Sequence, residues 1–366
     1  MQWSMARRNP TQVATPSSSK PYQPYAAVHK SPSGPGDEKP KALQIIADYD
    51  ATGKLSGKNV VITGCSGGIG QHVAVAMYQT SAQLYLIARN MPRLEKVTAD
   101  MVAQASAKGC PRPIGVEMHL DSLASVKAGA QAIKAQTDEV NILINNAGMS
   151  GAPLSKTAHG IETHMATNHF AHFLLFNELQ PLLEHAARAS DTISRLITVA
   201  SSSQMLRGIR YDDYNYERRP EEYTKMKAYG QSKTANIYMS NTIARYYSHR
   251  GLTGLAVHPG SVFEGSELAR NLTQEDFAAF GGEEVLEKLK SLFKNAEQGA
   301  ATVVWAAASP YCENVANGGK YLADVGDGVP QAAGVTDEGP GYAPHAFDEA
   351  GEDWLWKESM RVLALE

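Results

Sequence analysis

Two tyrosine–lysine pairs with the same spacing lie close together in this sequence. Tyr229 stands four residues before Lys233, and Tyr223 stands four residues before Lys227. Residues four apart share one face of a helix, so the ammonium group could favour the phenolate and lower the tyrosine pKa from its usual value near 10. A tyrosine whose pKa is lowered in this way can exchange a proton at neutral pH. With 16 tyrosines in the chain, about one such pair is expected by chance, so the spacing alone identifies no active site.

The surroundings of the two pairs differ. Tyr223 and Lys227 follow Pro220 in a charged segment, where both side chains are expected to be solvated. Tyr229 and Lys233 begin a long helical pattern, and two of the three residues between them are small. These surroundings favour Tyr229 and Lys233 as the pair that does chemistry.

Short apolar runs alternate with helical patterns from about Leu55 onward. Near-continuous apolar strands separated by helices predict a parallel sheet that is covered on both faces. Right-handed crossovers then favour a single-domain α/β fold with a Rossmann-type doubly wound sheet of about seven strands. The predicted strands are 59–63, 82–88, 114–120, 140–145, 195–201, 253–258 and 319–323.

A glycine-rich loop follows the first predicted strand, in the letters TGCSGGIGQHVAVAMY. Gly64, Gly68 and Gly70 allow a tight turn and let the N-terminus of the next helix approach a pyrophosphate. A glycine-rich turn without a ligand is the alternative. The position between the first strand and the first helix is the one that a dinucleotide site requires, so the loop predicts nucleotide binding.

The end of the second strand bears on the choice of cofactor. A carboxylate there binds the ribose 2′-hydroxyl of NAD, whereas a nearby arginine accommodates the 2′-phosphate of NADP. Here Ala88 occupies the acidic position and Arg89 follows it. Arg89 could be an ordinary solvated charge, but no carboxylate remains to hold a 2′-hydroxyl. The sequence therefore predicts NADP(H) rather than NAD(H).

Three other strand ends should face the same cofactor, because ligands of open α/β sheets bind at the carboxyl edge. Asp121 follows the third strand and could bind the adenine amino group, cap the next helix, or do both. The letters NNAG (145–148) end the fourth strand, either as an ordinary turn or as small residues that let the backbone approach a cofactor. Pro259 and Gly260 shape a turn after the sixth strand.

Five motifs in a fixed order carry a family resemblance: TGCSGGIG, NNAG, ASSS, YGQSK and HPGSV. Over roughly residues 55–330 the chain resembles the short-chain dehydrogenase/reductase family. The segments THMATNHFAHFLLFNEL and GGKYLAD, with the Tyr-rich stretch before YGQSK, are similar to its retinol-dehydrogenase-like and WW-domain-oxidoreductase-like branch, in particular to fungal members. The order of the motifs, more than any one of them, selects Tyr229 over Tyr223.

The resemblance implies a catalytic tetrad of Asn168, Ser201, Tyr229 and Lys233. Tyr229 would give its proton to the alkoxide as hydride arrives, and Lys233 would lower the tyrosine pKa and bind the nicotinamide ribose. Ser201 would stabilise the charge that develops on the substrate oxygen. Asn168, in a helix expected to begin near His159, would hold a water that relays protons to Lys233. The implied cofactor contacts are Gly64, Ser66, Gly68, Ile69, Gly70, Arg89, Asp121, Asn145, Ala147, Gly148, Tyr229, Lys233, Pro259, Gly260 and Val262.

The chain departs from the family pattern in two places. Ser201 and Tyr229 lie 28 positions apart, more than is usual in the wider family. The extra residues form the Tyr-rich segment 210–223, which could line a substrate mouth or pack as a surface loop. Soon after the Pro-Gly pair, relatives often have a threonine or serine that helps to hold the cofactor. Here Phe263 and Glu264 come before Ser266, so no contact beyond Val262 is predicted, and a mobile substrate lid is expected over 261–297.

Overall composition excludes several classes of partner. The chain has 366 residues, of which 43% are hydrophobic and 20% charged, with a formal net charge of −4. This balance suits a large core and gives no reason to expect nucleic acid or an anionic membrane surface as a partner. No apolar run approaches the roughly 18 residues that a membrane-spanning helix needs. A small-molecule substrate is the expected partner.

Cysteines and histidines give no signal for a disulfide framework or a metal site. The three scattered cysteines fit a reducing compartment. His164, His169 and His172 cluster in one helical pattern, and the last two share a face. No carboxylate or cysteine accompanies them at ligand spacing, so no metal is expected.

Both termini differ in composition from the body of the chain. Residues 1–40 are rich in Pro and Ser and are expected to form a flexible tail, or alternatively a mitochondrial transit peptide. The expected location is cytoplasmic, with mitochondrial as the alternative. The predicted divisions are this tail, a short leading helix or linker at 41–54, the cofactor-binding domain at 55–330 and a C-terminal extension with a helix at 331–366.

The oligomeric state stays open between monomer and homodimer. In the family that the chain resembles, helices equivalent to 160–188 and 223–250 often build dimer interfaces. The C-terminal stretch could instead cover one of them with the face formed by Trp354, Leu355 and Trp356.

The leading functional hypothesis is an NADP(H)-dependent oxidoreductase that interconverts a ketone or aldehyde and an alcohol on a moderately large apolar molecule. One alternative is a cofactor sensor or protein-interaction module on the same fold, although a sensor does not need the proton donor of a complete tetrad. Another is a family member that performs epimerisation, dehydration or double-bond reduction.

Overall fold

The computed structural model describes residues 20–106, 109–190, 192–262, 273, 287, 289–331 and 341–365. Its centre is an eight-stranded sheet with the order β3-β2-β1-β4-β5-β6-β7-β8. All neighbours in this sheet are parallel except β7 and β8. The strands are β1 Asn59–Thr63, β2 Gln83–Ala88, β3 Ile114–Glu117, β4 Ile142–Asn145, β5 Ser194–Val199, β6 Leu252–His258, β7 Tyr321–Ala323 and β8 Gly326–Asp327. A separate two-stranded sheet pairs β9 Val329–Pro330 with β10 Gly341–Tyr342.

The predicted fold class is confirmed. Each of the seven predicted strands is present, and the third is shorter than expected because it ends at Glu117. The added strand β8 is antiparallel. The order 3-2-1-4-5-6 places the reversal of direction between β1 and β4, the point at which doubly wound sheets bind ligands.

Helices cover both faces of the sheet. Along β1, the side chain of Val61 belongs to one hydrophobic core, whereas Val60 and Ile62 belong to the other. Alternate side chains of a strand point to opposite faces, so a strand buried on both faces must be apolar throughout. The α-helices of the described residues are α1 Ala42–Asp48, α2 Gly68–Tyr78, α3 Met91–Gln104, α4 Leu123–Lys134, α5 Ala171–Ser190, α6 Lys225–Tyr247, α7 Ala296–Ala308 and α8 Glu349–Val362. Among the described residues, no helix is both long and apolar enough to cross a membrane.

Residues 20–40 differ from the flexible tail expected there, because they make defined contacts with the domain. The ring of Tyr22 stacks on Tyr311 at 4.5 Å between centroids, and its backbone N–H donates to Asp327. The backbone N–H of Gly36 donates to Gln298 at 2.9 Å. These partners offset the ordering entropy of this stretch. Residues 1–19 lie outside the described part of the chain.

The C-terminal helix α8 covers one face of α5 and α6. Trp356 is buried, with its ring 4.7 Å from Phe173 of α5 and 5.8 Å from Tyr247 of α6. Arg245 of α6 forms ion pairs with Glu352 and Asp353 of α8. The apolar face of this helix therefore packs within its own chain, and the homodimer stays a prediction.

Candidate active site

The glycine loop brings the end of β1 and the start of α2 into close contact. Gly64 has φ +77°, a left-handed conformation that costs glycine little. A Cβ on Gly70 would collide with the carbonyl oxygen of Gly64, so this packing requires glycine. Gly67 precedes α2 without a capping side chain, and the first turn carries no acidic residue. Backbone N–H groups at this helix N-terminus are thus available for an anion. Ser66, Gly68 and Ile69 lie half-buried around them.

The hydroxyl of Thr63 ties the glycine loop to the NNAG motif. Its Oγ1 accepts hydrogen bonds from the backbone N–H of Asn146 at 3.0 Å and of Ala147 at 2.9 Å. A Cβ on Gly64 would lie 2.9 Å from the Cα of Ala147, so the two loops touch. The buried side-chain amide of Asn145 forms no hydrogen bond with the described residues. An orphaned buried amide at a strand end fits a site that a polar ligand completes.

Two arginines follow β2, and the second of them lies against the start of α2. Arg89 directly follows β2 and is exposed. Arg93, which was not predicted from the sequence, lies in the first turn of α3, and a Cβ on Gly67 would collide with its guanidinium. The side chain of Asn90 caps α3 by accepting from the N–H of Arg93 at 2.9 Å. That Asn-x-Pro start was visible in the sequence and could have placed Arg93 in the first helical turn.

The remaining predicted cofactor residues lie at the carboxyl edge of the sheet. Asp121 is exposed after β3, but Ser122 caps α4, so the alternative role of Asp121 as the helix cap is wrong. Pro259 and Gly260 follow β6, and a Cβ on Gly260 would lie 2.6 Å from the Cδ of Lys294. Val262 packs against Gly299 of α7. Phe263, Glu264, Ser266 and most of the expected lid lie outside the described residues.

Asn168 and Lys233, two members of the predicted tetrad, come together beside Gly148, and Tyr229 lies next to Lys233. A Cβ on Gly148 would lie 3.3 Å from Oδ1 of Asn168 and 3.4 Å from Nζ of Lys233. The Lys233 ammonium lies 5.5 Å from the ring centroid of Tyr229. The Asn168 amide accepts from the N–H of Met149 at 2.8 Å and donates to the hydroxyl of Ser232 at 2.9 Å. The predicted side chains thus converge on one point of the sheet edge.

Ser201 follows β5 and approaches the start of α6 through its loop. Its Oγ accepts a hydrogen bond from the backbone N–H of Ser203 at 3.1 Å. Gly230, next to Tyr229, packs so closely on the carbonyl oxygen of Ser203 that a Cβ there would collide with it. This contact explains why Gly230, between Tyr229 and Lys233, is glycine. It also holds the loop after β5 against α6.

Burial controls the charge of Lys233. The residue is only 2% exposed, and burial lowers the pKa of its ammonium to about 7. The ammonium donates to the carbonyl of Val199 at 2.8 Å, and no carboxylate of the described chain pairs with it. Near neutral pH the lysine is therefore close to an even balance between its charged and neutral forms.

Asn168 lies in a π-helical turn, Met165–Phe170, that leads into α5. The helical segment begins at residue 163, so the expected start near His159 is wrong. The carboxylate of Glu162 accepts from the backbone N–H groups of His164 and Met165 at 3.0 and 2.9 Å and so caps the helix. π-Turns add one residue to a helix and are frequent at functional sites.

The second tyrosine–lysine pair does not share a helix face, because α6 begins at Lys225, after Tyr223. Lys227 is exposed as expected, but the expectation that Tyr223 is solvated is wrong. Tyr223 is half-buried, and its hydroxyl donates to the carbonyl of Ala152 at 2.7 Å. Its ring packs on Tyr216 at 5.0 Å. The Tyr-rich segment is therefore packed, and its last tyrosine reaches the loop after NNAG.

The three clustered histidines have separate partners. His164 pairs with the buried carboxylate of Glu162 at 2.8 Å. His169 contacts the hydroxyl of Ser359 in α8 at 2.9 Å. His172 contacts the hydroxyl of Thr63 at 3.0 Å. No group of three potential metal ligands occurs among the described residues.

Known proteins resemble this chain over most of its length. A family model for short chain dehydrogenase matches residues 58–215. The short-chain dehydrogenase/reductase prx1 of Penicillium roqueforti is 34% identical over 93% of this chain and 95% of its own. The oxidoreductase calI of Penicillium decumbens is 35% identical over 93% of this chain and 98% of its own. Retinol dehydrogenase 12 of Mus musculus is 32% identical over 74% of this chain and 79% of its own.

Solved structures share the fold. An uncharacterised protein from Mycobacterium paratuberculosis aligns with a TM-score of 0.61 and 25% identity, covering 85% of this chain and 95% of that one. The RhlG/NADP complex of Pseudomonas aeruginosa aligns with a TM-score of 0.56 and 22% identity, covering 75% and 96%.

Proposed function

Since the chain belongs to the short-chain dehydrogenase/reductase family, we propose that it is an NADP(H)-dependent oxidoreductase. It interconverts a ketone or aldehyde and an alcohol on a moderately large apolar molecule. The observation that carries this proposal is the meeting of Asn168 and Lys233 beside Gly148, with Tyr229 next to Lys233, at the sheet edge that also holds the glycine loop.

The cofactor site fits a dinucleotide with a 2′-phosphate. The bare N-terminus of α2 suits the pyrophosphate. Arg89 and Arg93 supply guanidinium groups on the adenosine side, where a carboxylate would serve NAD instead. Asn145, with its unpartnered amide, and the adjacent Ala147 and Gly148 line the floor of the site. The further contacts at Ser66, Ile69, Asp121, Pro259, Gly260 and Val262 belong to the same proposal.

The chemistry is divided between the cofactor and the tetrad. The bound nicotinamide supplies or takes the hydride. In the reductive direction, Tyr229 donates its proton to the alkoxide, and Ser201 stabilises the charge on that oxygen. Lys233 binds the nicotinamide ribose hydroxyls and favours the phenolate that Tyr229 becomes. Asn168 holds the water that returns a proton through Lys233.

Side chains around the start of α6 and in the loop after NNAG support an apolar substrate. Tyr223 lies just before α6 and Met226 in its first turn, and the sulfur of Met226 contacts the Ser150 hydroxyl in the loop after NNAG. Leu154, in the same loop, is 37% exposed. Aromatic and thioether groups adapt to large apolar molecules. The name of the mouse relative, retinol dehydrogenase 12, points to an apolar alcohol as its substrate.

The proposal is tested by following NADPH absorbance with a panel of apolar ketones and aldehydes, in parallel with NADH. We expect NADPH to be consumed in preference to NADH, with a product that gains two hydrogens at the carbonyl. Tight NADPH binding without consumption across the panel would favour the cofactor sensor. A product of unchanged mass, or one that has lost water, would favour epimerisation or dehydration, and a retained carbonyl would favour double-bond reduction.

A further inference from the structure

His172 connects the two halves of the candidate site. It lies on α5, one helical turn after Asn168, and is only 1% exposed. Its Nδ1 is 3.0 Å from the backbone carbonyl oxygen of Asn168. Its Nε2 is 3.0 Å from the hydroxyl of Thr63, at the end of the strand that carries the glycine loop. One imidazole ring thus bridges the π-turn that contains Asn168 and the strand end that leads into the glycine loop.

The hydrogen bonds of Thr63 determine which ring nitrogen carries the proton. Its Oγ1 accepts from two backbone N–H groups, those of Asn146 and Ala147, and has one hydrogen to donate. The Nε2 of His172 at 3.0 Å is closer than the other acceptor, the carbonyl of Ile144 at 3.5 Å. Nε2 therefore accepts, and Nδ1 carries the proton and donates it to the Asn168 carbonyl.

The charge state of His172 agrees with this arrangement. Burial lowers its pKa to about 4, against the opposing effect of the hydrogen bond to Asn168, and the charge of Lys233 lowers it further. The imidazole is neutral at physiological pH. It therefore places no second positive charge beside the Lys233 ammonium.

The hydrogen bond from His172 completes the fixation of Asn168. The side-chain amide of Asn168 is held at both ends, by the N–H and the carbonyl of Met149 at 2.8 and 3.0 Å. Its backbone belongs to the π-turn, whose hydrogen-bond pattern departs from that of the regular helix. The N–H of His172 fixes the carbonyl of this turn, so both the backbone and the side chain of Asn168 have set positions beside Lys233.

We propose that His172 is a positioning residue for the reaction. Its Nδ1–H holds the π-turn that contains Asn168 in place beside Lys233. Its Nε2 anchors that turn to Thr63 and hence to the glycine loop. The proposal rests on the proposed function, because it assigns His172 to the same site. In this proposal His172 acts through Asn168 and Thr63 and contacts neither the substrate nor the reacting atoms.

Three substitutions separate the two hydrogen bonds. His172→Asn keeps an amide N–H at the position of Nδ1, whereas His172→Gln places its amide at the position of Nε2, and His172→Phe keeps neither. We expect the Phe and Gln variants to lower kcat between about tenfold and 100-fold, as misplacement of a reacting group does. The KM for the carbonyl and the Kd for NADPH should change little. His172→Asn should be about tenfold faster than His172→Gln.

His169→Phe is the matched control. His169 lies on the same helical segment and is equally buried, but its hydrogen bond leads to Ser359 in α8, away from Lys233. This variant should lower the unfolding temperature and leave kcat unchanged. Thermal melting and NADPH binding establish that each variant is folded.

An imidazole signature tests the assignment independently of activity. In ¹⁵N-histidine NMR spectra of the full chain, His172 should show a protonated Nδ1 and an unprotonated Nε2 that do not titrate near neutral pH. A protonated Nε2 overturns the proposal, as does an unchanged kcat in His172→Phe or equal activity of the Asn and Gln variants. If the unmodified chain reduces no carbonyl, the proposed function fails, and the NMR signature alone decides the hydrogen-bond assignment.

Discussion

Replacing Lys233 by methionine should stabilise the protein while abolishing turnover. Lys233 is buried without a carboxylate partner among the described residues, and burial lowers its pKa from 10.5 to about 7. Methionine has a similar length and no charge. The carbonyl of Val199 keeps a hydrogen bond in this variant, because the amide of Asn236 also donates to it at 3.1 Å. The substitution therefore removes a costly charge and leaves no orphaned acceptor.

The size of the effect follows from the pKa of Lys233. One pKa unit corresponds to about 1.4 kcal/mol. At pH 7 the unfolded lysine is fully charged and the folded one about half charged. Burial of Lys233 therefore lowers the free energy of unfolding by about 4 kcal/mol. The unfolded chain binds more protons between the folded and the unfolded pKa, so wild-type stability rises with pH in that window. At pH 9 the remaining cost is about 2 kcal/mol.

Urea unfolding at several pH values between about pH 7 and pH 9 measures this difference. The advantage of Lys233→Met over the wild type should shrink by about 2 kcal/mol across the range. Lys227→Met, at an exposed position of the same helix, serves as the control and should show no such trend. A difference that is independent of pH, or a methionine variant that is less stable throughout, would show that the buried Lys233 does not destabilise the fold.

Three further predictions concern the cofactor and the C-terminal helix. Arg93→Ala should weaken NADPH binding at least as much as Arg89→Ala and leave NADH binding nearly unchanged, since each guanidinium bond to a phosphate contributes about 1.5–3 kcal/mol. Fluorescence titration measures both affinities, and equal losses for the two cofactors would argue against a 2′-phosphate site. Cofactor binding near pH 8 should take up a proton, because ribose hydroxyls favour the ammonium of Lys233. Calorimetry in buffers of different ionisation enthalpy measures this uptake, and binding without proton uptake would contradict the prediction. Trp356→Ala should lower the free energy of unfolding by about 3–5 kcal/mol, and Trp354→Ala should lower it by less because Trp354 is half-buried. Equal urea midpoints for the two variants would contradict the packing of α8.

Features set by local backbone geometry could be predicted from the sequence. The glycine loop is one example, because a left-handed turn at Gly64 and the close approach at Gly70 leave a specific residue pattern. The strands are another, since burial on both faces produces continuous apolar runs. The convergence of Asn168 and Lys233 was expected from the order of the motifs, although their distances depend on the packing of α5 against α6.

Features that depend on distant partners could not be predicted. Tyr223 looked solvated because the acceptor for its hydroxyl, the Ala152 carbonyl, comes from another loop. The packing of Tyr22 depends on Tyr311, near the other end of the chain. His172 looked like part of a histidine cluster, because its bond to Thr63 appears only when β1 and α5 are brought together. Periodicity and composition carry no record of such pairs.

The variant Tyr229→Phe decides whether Tyr229 donates the proton. Removal of the hydroxyl should reduce kcat by about 100-fold or more while the Kd for NADPH stays close to that of the wild type. Tyr247→Phe, at a buried position near the other end of the same helix, should retain full activity. Wild-type turnover in Tyr229→Phe, with any carbonyl that the unmodified chain reduces, would show that Tyr229 is not the proton donor.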